Sequence, residues 1–413
     1  MNFRILGRLI TILYSPFWIQ ADRLANVYFA PYGVGLGHAS RLVMIAEGLQ
    51  YLGVTFKFST FGEAARYLSC LGYSCNIVPP MEFGWTSEGH FSISSSIANI
   101  PRFFVNFSRQ VNHEIRNMIK FRPDIVVSDT RLSPVLASKI LHIPSIVILN
   151  QVKLLLSPRL RRYKVTRIFE ALNGEVLGLG WTLTDKILIP DLPPPHTISE
   201  NNVWGTNSVR NKLEYVGFTT PKTHLNESNT NKLCAELGLN RAAPIVFVHV
   251  SGPFETRMPL VRVAMDASKA SKEYIQFIIS AGYPGGNPQP KSIQGGWFYE
   301  WCPVRDEIFS LSDIIVIRGG HAAISQAIKF GKPIVAIPIE NHGEQLGNSQ
   351  KIARLGIGVA ITTRPLRPED VSDAIKLVLN NPSYLRRANE LRELSEKLNG
   401  IDNIVRIVQS FIS

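Results

Sequence analysis

The sequence predicts an α/β protein built from two doubly wound domains. Short runs of β-branched and aromatic residues alternate with longer stretches of helical periodicity, which is typical of parallel strands joined by crossover helices. The alternation occurs in two series, separated by the proline-rich segment IPDLPPPHT at residues 189–197. The 413 residues, 45% of them hydrophobic, suffice for two domains with separate cores.

The first series starts at Asn26. It predicts strands at NVYFAP, VTFKFST, YSCNIVP, DIVVSD and SIVILN. Apolar residues recur three and four positions apart over residues 41–51, 63–71 and 101–121, which predicts helices there. We assign residues 26–217 to this N-terminal domain.

The second series predicts strands at PIVFVHV, YIQFIIS, GWFYEW, IIVIR, PIVAIP and GVAIT. We assign residues 218–380 to this C-terminal domain. Residues 381–413 are predicted to be helical, with the last helix packing back on the N-terminal domain. Because open α/β sheets bind ligands beyond the carboxyl ends of their strands, we expect the two domains to face each other across a cleft that contains the site.

The net charge is positive, and much of the excess lies in one part of the chain. The formal net charge is +12, and residues 100–170 hold 13 Lys and Arg against 4 Asp and Glu. Such an excess suits an anionic partner, which can be a nucleic acid, a nucleotide sugar or an acidic membrane surface. Because no nucleic-acid recognition motif accompanies the excess, we expect no nucleic-acid partner.

One basic segment, SPRLRRYKVTRIFEA at Ser157–Ala171, is a candidate for contact with an anionic membrane surface. Its cations alternate with large apolar residues, so that a helix formed there can lie on lipid headgroups with its apolar face inserted. A solvated helix is the alternative interpretation. The cations are Arg159, Arg161, Arg162, Lys164 and Arg167.

Residues 1–25 are apolar but do not predict a membrane-spanning helix, because Arg4, Arg8 and Pro16 interrupt a run that is too short. The small-residue pattern of a signal-peptide cleavage site is missing as well. An interfacial helix on the membrane and simple packing on the domain both stay open. We expect a cytoplasmic protein that is peripheral on the cytoplasmic face of the membrane.

The cysteines and acidic residues predict no metal site. The four cysteines form no Cys-x-x-Cys pair and no zinc-like spacing with histidine, and the chain has no Asp-x-Asp motif. A reduced intracellular setting is the plain interpretation of such cysteines.

The segment APYGVGLGHASR, residues 30–41, places three glycines at alternate positions after a strand. The spacing G-x-G-x-G differs from the dinucleotide pattern G-x-G-x-x-G, and the next strand ends in Ser59-Thr60 without an acidic residue, which disfavours NAD. Glycines at such a turn let the backbone approach a ligand closely. The glycines are Gly33, Gly35 and Gly37.

His38 follows these glycines at the predicted start of a helix. A neutral imidazole at the positive end of a helix is suited to accept a proton from a hydroxyl group. A histidine that caps its own helix is the alternative. Asp129, at the end of the strand DIVVSD, is the reserve candidate for the base.

The segment IIVIRGGHAAISQAIKF contains the strongest ligand signal. Gly319 and Gly320 follow a strand and open a predicted helix. Their amides lie where the helix dipole is positive, so that a diphosphate can bind without a metal. Arg318 or His321 can add a positive contact.

A second pair of polar residues, Glu344 and Gln345 in PIENHGEQLGNSQ, lies at the start of a later helix. A carboxylate beside an amide is suited to bind the vicinal hydroxyls of a sugar. An exposed helix start enriched in glutamate is the alternative interpretation.

Taken together, these motifs resemble those of the GT-B glycosyltransferases, most closely of glycosyltransferase family 28. The resemblance covers nearly the whole chain. It rests on the glycine-rich loop that ends in His38 and is followed by Arg41, on SDTRLSP and IPSIVILNQ, and on the Arg318–Gln326 loop and helix. The sugar-binding pair of the family corresponds to Glu344 and Gln345, with Asn348 behind them.

The resemblance implies two Rossmann-like domains facing across a cleft. It implies inverting, metal-independent transfer of a sugar from a UDP-sugar to the hydroxyl of a lipid-linked or glycolipid acceptor, which the N-terminal domain binds. The UDP-sugar is a co-substrate, and no further cofactor is implied. The resemblance also implies backbone contacts to phosphate from Ser251 and Gly252, and Trp301 is a candidate to stack on the base.

The chain departs from the family at three places. Gln326 stands where many members have a glutamate that binds the ribose hydroxyls, so the nucleotide preference is less sharply indicated. Arg318 replaces a histidine, and WCPV replaces Trp-x-Pro-Gln, of relatives that act on small lipophilic acceptors. A nucleotide-sugar epimerase of the same fold and a non-catalytic, membrane-associated binding subunit stay open as alternatives.

Overall fold

The computed structural model describes residues 25–80, 100–153, 161–220, 226–252, 254–283 and 285–412. These residues form two seven-stranded sheets with helices on their faces. The predicted α/β class, with two doubly wound domains, is confirmed.

The first sheet has the order β3-β2-β1-β4-β5-β6-β7 and is parallel throughout. Its strands are β1 (Asn26–Pro31), β2 (Thr55–Thr60), β3 (Cys75–Ile77), β4 (Ile125–Asp129), β5 (Ser145–Ile148), β6 (Lys186–Ile189) and β7 (Leu213–Tyr215). Its helices are α1 (Gly37–Gln50), α2 (Gly62–Cys70), α3 (Ile100–Phe121), α4 (Leu132–Ile140), α5 (Lys164–Trp181) and α6 (Glu200–Val203), with a 3₁₀ turn at Arg210–Lys212. The short strands β6 and β7 have no counterpart among the predicted strands.

The second sheet has the order β10-β11-β9-β8-β12-β13-β14 and is parallel except for β10. Its strands are β8 (Ile245–His249), β9 (Gln276–Ser280), β10 (Lys291–Ile293), β11 (Gly296–Tyr299), β12 (Ile314–Ile317), β13 (Ile334–Ala336) and β14 (Gly358–Ala360). The remaining helices are α7 (Glu227–Glu236), α8 (Phe254–Ser271), α9 (Arg305–Leu311), α10 (His321–Lys329), α11 (Gly343–Leu355), α12 (Pro368–Leu379), α13 (Pro382–Glu396) and α14 (Gly400–Ile412).

Both sheets reverse their strand order at an internal strand. β1 lies between β2 and β4, and β8 lies between β9 and β12. Doubly wound sheets bind ligands beyond the carboxyl ends of the strands at this point. In the first sheet the register pairs Pro31 with Asp129, and in the second it pairs His249 with Ile317. The glycine-rich segments that follow β1 and β12 therefore both begin at such a point.

The last two helices belong to different domains. Ala388 and Leu391 of α13 are part of the core of the C-terminal domain, which extends beyond the predicted limit at residue 380. Ile404 and Val408 of α14 are buried in the core of the N-terminal domain. Where the chain returns to the N-terminal domain, Gly400 packs closely against Gly217. A Cβ atom on Gly400 would lie 2.3 Å from the carbonyl oxygen of Gly217.

Charged contacts join the segment between the two sheets to helix α11. Glu200 of α6 accepts a hydrogen bond from Lys351 of α11 and forms an ion pair with Arg354, with Nη2 and Oε1 2.6 Å apart. Lys351 also donates to the carbonyl of Pro195 at 2.8 Å. Helix α11 is thereby fixed to the segment that connects the two sheets.

Candidate active site

His38 lies in the first turn of α1, which begins at Gly37 immediately after the glycine-rich loop. Its Nδ1 atom is 2.7 Å from Oδ1 of Asp129, at the carboxyl end of β4. The imidazole side chain is 21% exposed, whereas Asp129 is fully buried. His38 is therefore the member of the pair that a ligand in the cleft can reach.

Asp129 is held by three further hydrogen bonds. Arg41, one helical turn after His38, donates from Nε to Oδ2 at 2.7 Å and from Nη2 to Oδ1 at 3.0 Å. The hydroxyl of Thr130 donates to Oδ1 at 3.0 Å. Burial by itself raises the pKa of Asp129, but the Arg41 guanidinium and His38 outweigh it and hold the pKa below its ordinary value. Asp129 is thus an ionised carboxylate that positions His38, and its full burial argues against the predicted role of Asp129 as a reserve base.

This geometry assigns the proton on the imidazole. An ionised carboxylate only accepts hydrogen bonds, so Nδ1 of His38 carries the hydrogen and Nε2 is the acceptor. Nε2 has no hydrogen-bond partner among the residues that the structure describes. The site can therefore take a proton from a hydroxyl group placed against Nε2.

The three glycines of the loop have different reasons to be glycine. A Cβ atom on Gly33 would lie 2.3 Å from the ring of Phe61. Gly35 has φ of +74°, and its N–H donates to Glu63 at 3.1 Å. Gly35 and Gly37 both have open space where a Cβ atom would be, and Gly37, the residue before His38, is exposed, so backbone beside His38 is accessible to a ligand.

Gly319 and Gly320 form the turn between β12 and α10. Gly319 has φ of +82°, and a Cβ atom there would lie 2.5 Å from Oγ of Ser349 and 2.9 Å from the carbonyl oxygen of Gln345. Its carbonyl accepts a hydrogen bond from Asn348 at 3.1 Å. Gly320, the residue before α10, is partly exposed and has open space where its Cβ would be. The N-terminus of α10 is therefore presented to open space beside a rigidly held turn.

Arg318 does not point into the cleft, contrary to expectation. Its guanidinium is buried and donates to the backbone carbonyls of Thr256 and Ile337. Burial lowers the pKa of Arg318 to about 10, and the nearby Arg364 adds to the effect. The predicted contact between Arg318 and a diphosphate is corrected to a structural role, because its side chain joins β12 to α8 and β13.

His321 also faces away from the open side of the turn. It is buried, and its Nε2 lies 3.1 Å from Oδ2 of Asp191, an ion-pair distance without hydrogen-bond geometry. Its ring packs against Phe218 with 5.9 Å between centroids. The predicted phosphate contact of His321 is therefore corrected to a contact between α10 and the segment that connects the domains.

Gln326 leads to a residue that the sequence analysis missed. Its side-chain amide donates to Oδ1 of Asp306, in the first turn of α9. A carboxylate thus stands beside the amide that replaces the glutamate of the family. Trp301, just before this helix, is 37% exposed and can be reached by a base. The acidic residue that follows WCPV at the start of a short helix was the available signal.

The loop after β8 is partly exposed at Ser251 and Gly252. Gly252 has φ of +113°, and its carbonyl accepts a hydrogen bond from Nε of Arg257 at 2.7 Å. Because β8 is adjacent to β12, this loop and the Gly319-Gly320 turn lie at the same edge of the sheet.

The pair at the start of α11 is divided between two roles. Gln345 is buried, and its Oε1 accepts a hydrogen bond from the backbone N–H of Ile339 at 2.9 Å. Glu344 is partly exposed in the first turn of the helix. Only the NH₂ group of the Gln345 side chain is thus available to a sugar, whereas the carboxylate of Glu344 can be reached.

The basic segment lies next to α11. Arg161, Arg162 and Arg167 line a cavity of about 320 Å³ together with Gly343 and Leu346. Lys164 is exposed at the start of α5. Arg159 and residues 1–24 lie outside the described residues, so the expectations for them stay predictions.

Neither a membrane span nor a cluster of metal ligands is present among the described residues. No helix there combines the length and hydrophobicity required to cross a bilayer. No group of three or more His, Cys, Asp or Glu side chains there is arranged to bind a metal ion. The independence from metal stays a prediction.

Residues 256–404 match the glycosyltransferase family 28 C-terminal domain. An uncharacterised glycosyltransferase of Methanosarcina acetivorans is 27% identical over 386 residues, which cover 92% of this chain and 97% of the relative. The kitacinnamycin glycosyltransferase structure has a TM-score of 0.67 and 15% identity, covering 95% of this chain and 100% of its own.

A second solved structure adds a bound nucleotide. The glycosyltransferase SsfS6 of Streptomyces sp. SF2575, complexed with thymidine diphosphate, has a TM-score of 0.62 and 17% identity over 94% of this chain and 99% of its own. The matched C-terminal domain, the full-length relative and the shared two-sheet fold lead to one conclusion. The chain is a glycosyltransferase with the GT-B fold, and its C-terminal domain is similar to that of glycosyltransferase family 28.

Proposed function

We propose that the protein is an inverting, metal-independent glycosyltransferase that transfers a sugar from a UDP-sugar to a hydroxyl group of a lipid-linked or glycolipid acceptor. The observation that supports this most strongly is the pairing of His38 with the buried Asp129 at 2.7 Å. The pair lies at the switch point of the acceptor domain, and the open N-terminus of α10 lies at that of the donor domain. A base and an anion-binding helix end are what direct displacement of a nucleoside diphosphate needs.

In the proposed reaction, Nε2 of His38 takes the proton of the acceptor hydroxyl as its oxygen attacks the anomeric carbon. The bond to the diphosphate breaks on the opposite side of the sugar, so the configuration inverts and UDP leaves. The carboxylate of Asp129 stabilises the imidazolium that forms, and it keeps the ring in the orientation that exposes Nε2.

The leaving diphosphate would be stabilised by the backbone N–H groups at Gly320 and the first turn of α10. Donors fixed in place before the reaction cost no reorganisation, and such electrostatic stabilisation is usually the largest single contribution to catalysis. The hydrogen bond from Asn348 to Gly319 supplies this fixation, because it ties the turn to α11.

The rest of the donor would extend along the C-terminal domain. Trp301 would stack on the base, and Asp306 with Gln326 would bind the ribose hydroxyls. Glu344 and the NH₂ group of Gln345 would bind the sugar. The choice of uridine rests on the family resemblance, and the thymidine diphosphate in SsfS6 makes TDP-sugars the comparison to test.

The acceptor would reach the cleft from a membrane. Arg161, Arg162 and Arg167 line a cavity that also includes Gly343, the residue before Glu344. Cations at the edge of the sugar site suit an acceptor with an anionic headgroup, and they suit a protein that is peripheral on the cytoplasmic face of the membrane.

The deciding experiment incubates the protein with radiolabelled UDP-sugars and TDP-sugars and a membrane lipid extract, with and without a chelator. We expect label in the lipid phase, stoichiometric UDP release, an inverted anomeric configuration and no effect of chelation. Activity that is lost on chelation and restored by magnesium would contradict the metal-independent mechanism. Conversion of the sugar without acceptor or UDP release would identify an epimerase. Vesicle binding without nucleotide binding in calorimetry would identify a binding subunit.

Substitutions at the start of α11 should separate recognition from stability. In Glu344→Ala, discrimination among UDP-sugars should weaken by roughly tenfold to a hundredfold, the loss of one hydrogen bond to a charged group, with unchanged thermal stability. In Gln345→Ala, discrimination should also weaken, and the free energy of unfolding should fall by about 1–3 kcal/mol because the buried N–H of Ile339 loses its acceptor. Competition assays with several UDP-sugars and thermal unfolding measure both effects. Unchanged discrimination in both variants would remove the pair from the sugar site.

A further inference from the structure

Helix α5 presents its large apolar residues to solvent. Six of them recur at intervals of three and four residues, so they form one continuous stripe along the helix. Their exposures are Val165 77%, Ile168 59%, Phe169 56%, Leu172 62%, Val176 69% and Leu179 62%. Single exposed apolar residues are ordinary on protein surfaces, but a contiguous stripe of this length indicates an interaction surface.

The opposite face of α5 packs on the protein through two glycines, with the buried side chains of Glu170 and Trp181 on the same face. Gly174 and Gly178 are buried, and a Cβ atom on Gly178 would lie 2.2 Å from Oγ of Ser208. A Cβ atom on Gly174 would lie 3.1 Å from Oγ1 of Thr206. The helix is thus seated through its glycines, and the orientation that exposes the stripe is fixed by this close contact.

The charged residues of α5 also differ between its two faces. The helix has two carboxylates, and both are engaged within the protein: Glu170 is buried against Arg161, with Oε2 and Nε 2.9 Å apart, and Glu175 accepts the backbone N–H groups of Asn207 and Ser208. The exposed residues at the start of the helix include the cations Arg162, Lys164 and Arg167. The outward surface is therefore apolar along its length and cationic at one end.

We propose that α5 is the membrane-docking element of this protein and that its stripe from Val165 to Leu179 inserts into an anionic lipid surface. The proposal rests on the proposed transfer to a lipid acceptor and names the surface through which the enzyme reaches it. An apolar face flanked by cations without carboxylates is complementary to acyl chains beneath anionic headgroups. A two-fold dimer would pair the stripe with itself and would use its apolar face but not its cations.

The position of the stripe suits this use. The basic end of α5 opens into the cavity that it shares with α11, next to Glu344. A lipid surface against the stripe would therefore hold headgroups at the edge of the cleft. An acceptor could then enter the site without leaving the bilayer.

The test is co-sedimentation of the full chain with phosphatidylcholine vesicles, alone or with 30% phosphatidylglycerol. The wild-type protein should bind the anionic vesicles more tightly. The triple variant Ile168→Gln, Leu172→Gln, Val176→Gln should bind them at least about tenfold more weakly. The three substitutions remove apolar surface that membrane binding would bury and leave the packing of α5 on the protein unchanged. Arg162→Gln and Lys164→Gln should each weaken binding by roughly fivefold. The matched control, Ile119→Gln with Ile140→Gln, changes side chains that are 58% and 52% exposed on other helices and should bind like wild type.

Two further measurements keep the outcome decisive. UDP affinity in calorimetry should be the same in wild type and in the triple variant. A wild-type protein that binds vesicles but no UDP would contradict the proposed function and leave the docking proposal intact. Equal binding to both kinds of vesicle, or an unaffected triple variant, would overturn the docking proposal. A wild-type dimer that the triple substitution converts into monomers in light scattering, with no vesicle binding, would assign the stripe to a second copy of the chain instead.

Discussion

Replacing His38 by alanine is expected to lower kcat by roughly a hundredfold to ten-thousandfold, which is the usual contribution of a positioned general base. The variant removes Nε2, the atom that the pairing with Asp129 leaves free to take the proton of the acceptor hydroxyl. UDP binding should survive, because the residues proposed to bind the donor lie in the other domain. Steady-state turnover with saturating donor, together with calorimetry of UDP, measures both quantities.

The control for this variant is Ser40→Ala. Ser40 lies in the same turn of α1, and its hydroxyl donates to the carbonyl of Gly37 at 3.2 Å. Its substitution disturbs the helix start to a similar degree without touching the imidazole, so turnover should stay within a few-fold of wild type. Wild-type turnover in His38→Ala would exclude this histidine from proton transfer. Equal losses in both variants would point to the shape of the helix start.

Part of the acceptor side of the site could be predicted from sequence because it depends on strand ends. A histidine after a glycine-rich turn and an aspartate at the end of a buried strand are visible in the segments around His38 and Asp129. The adjacency of β1 and β4 is a property of the strand order, which the sequence does not state. For this reason Asp129 was expected as a substitute base, and its hydrogen bonds to His38 and Arg41 became visible only in the structure.

Side-chain direction on the donor side could not be predicted. The turn between strand and helix was expected at Gly319-Gly320, where the structure has it. The directions of Arg318, His321 and Gln326 are decided by partners that lie far away in sequence. These partners are Thr256, Ile337, Asp191 and Asp306.

The buried face of α5 could not be predicted from the sequence either. Apolar residues at helical spacing normally predict a buried face, and glycines normally predict a weak helix. Here Gly174 and Gly178 lie on the buried face, where Thr206 and Ser208 are too close for larger side chains. The basic start of the segment is visible in the sequence, but the orientation of the helix is a tertiary property.

Gly319→Ala and Gly320→Ala are expected to impair donor binding in different ways. In Gly319→Ala, the left-handed backbone and the contact of the new methyl group with the carbonyl oxygen of Gln345, at 2.9 Å, should lower the free energy of unfolding by about 2–3 kcal/mol. The turn must shift, and UDP affinity should fall with it. Gly72→Ala is the matched control for backbone strain, because Gly72 has φ of +81° but open space around its Cβ position, so it should cost about 1 kcal/mol and leave UDP binding unchanged.

Gly320→Ala tests UDP binding separately from the stability of the fold. Its φ of −68° and ψ of 138° suit any residue, and nothing lies within 4 Å of the new methyl group, so the free energy of unfolding should change by less than about 1 kcal/mol. The methyl group would occupy the space in front of the α10 N-terminus, where the diphosphate is proposed to bind. UDP affinity should therefore fall roughly tenfold to a hundredfold, the equivalent of one hydrogen bond to a charged group. Calorimetry of UDP beside chemical unfolding measures the two effects separately.

A Gly320→Ala variant with wild-type UDP affinity would mean that the diphosphate does not bind at the end of this helix, and the cation-free stabilisation of the leaving group would lose its structural basis.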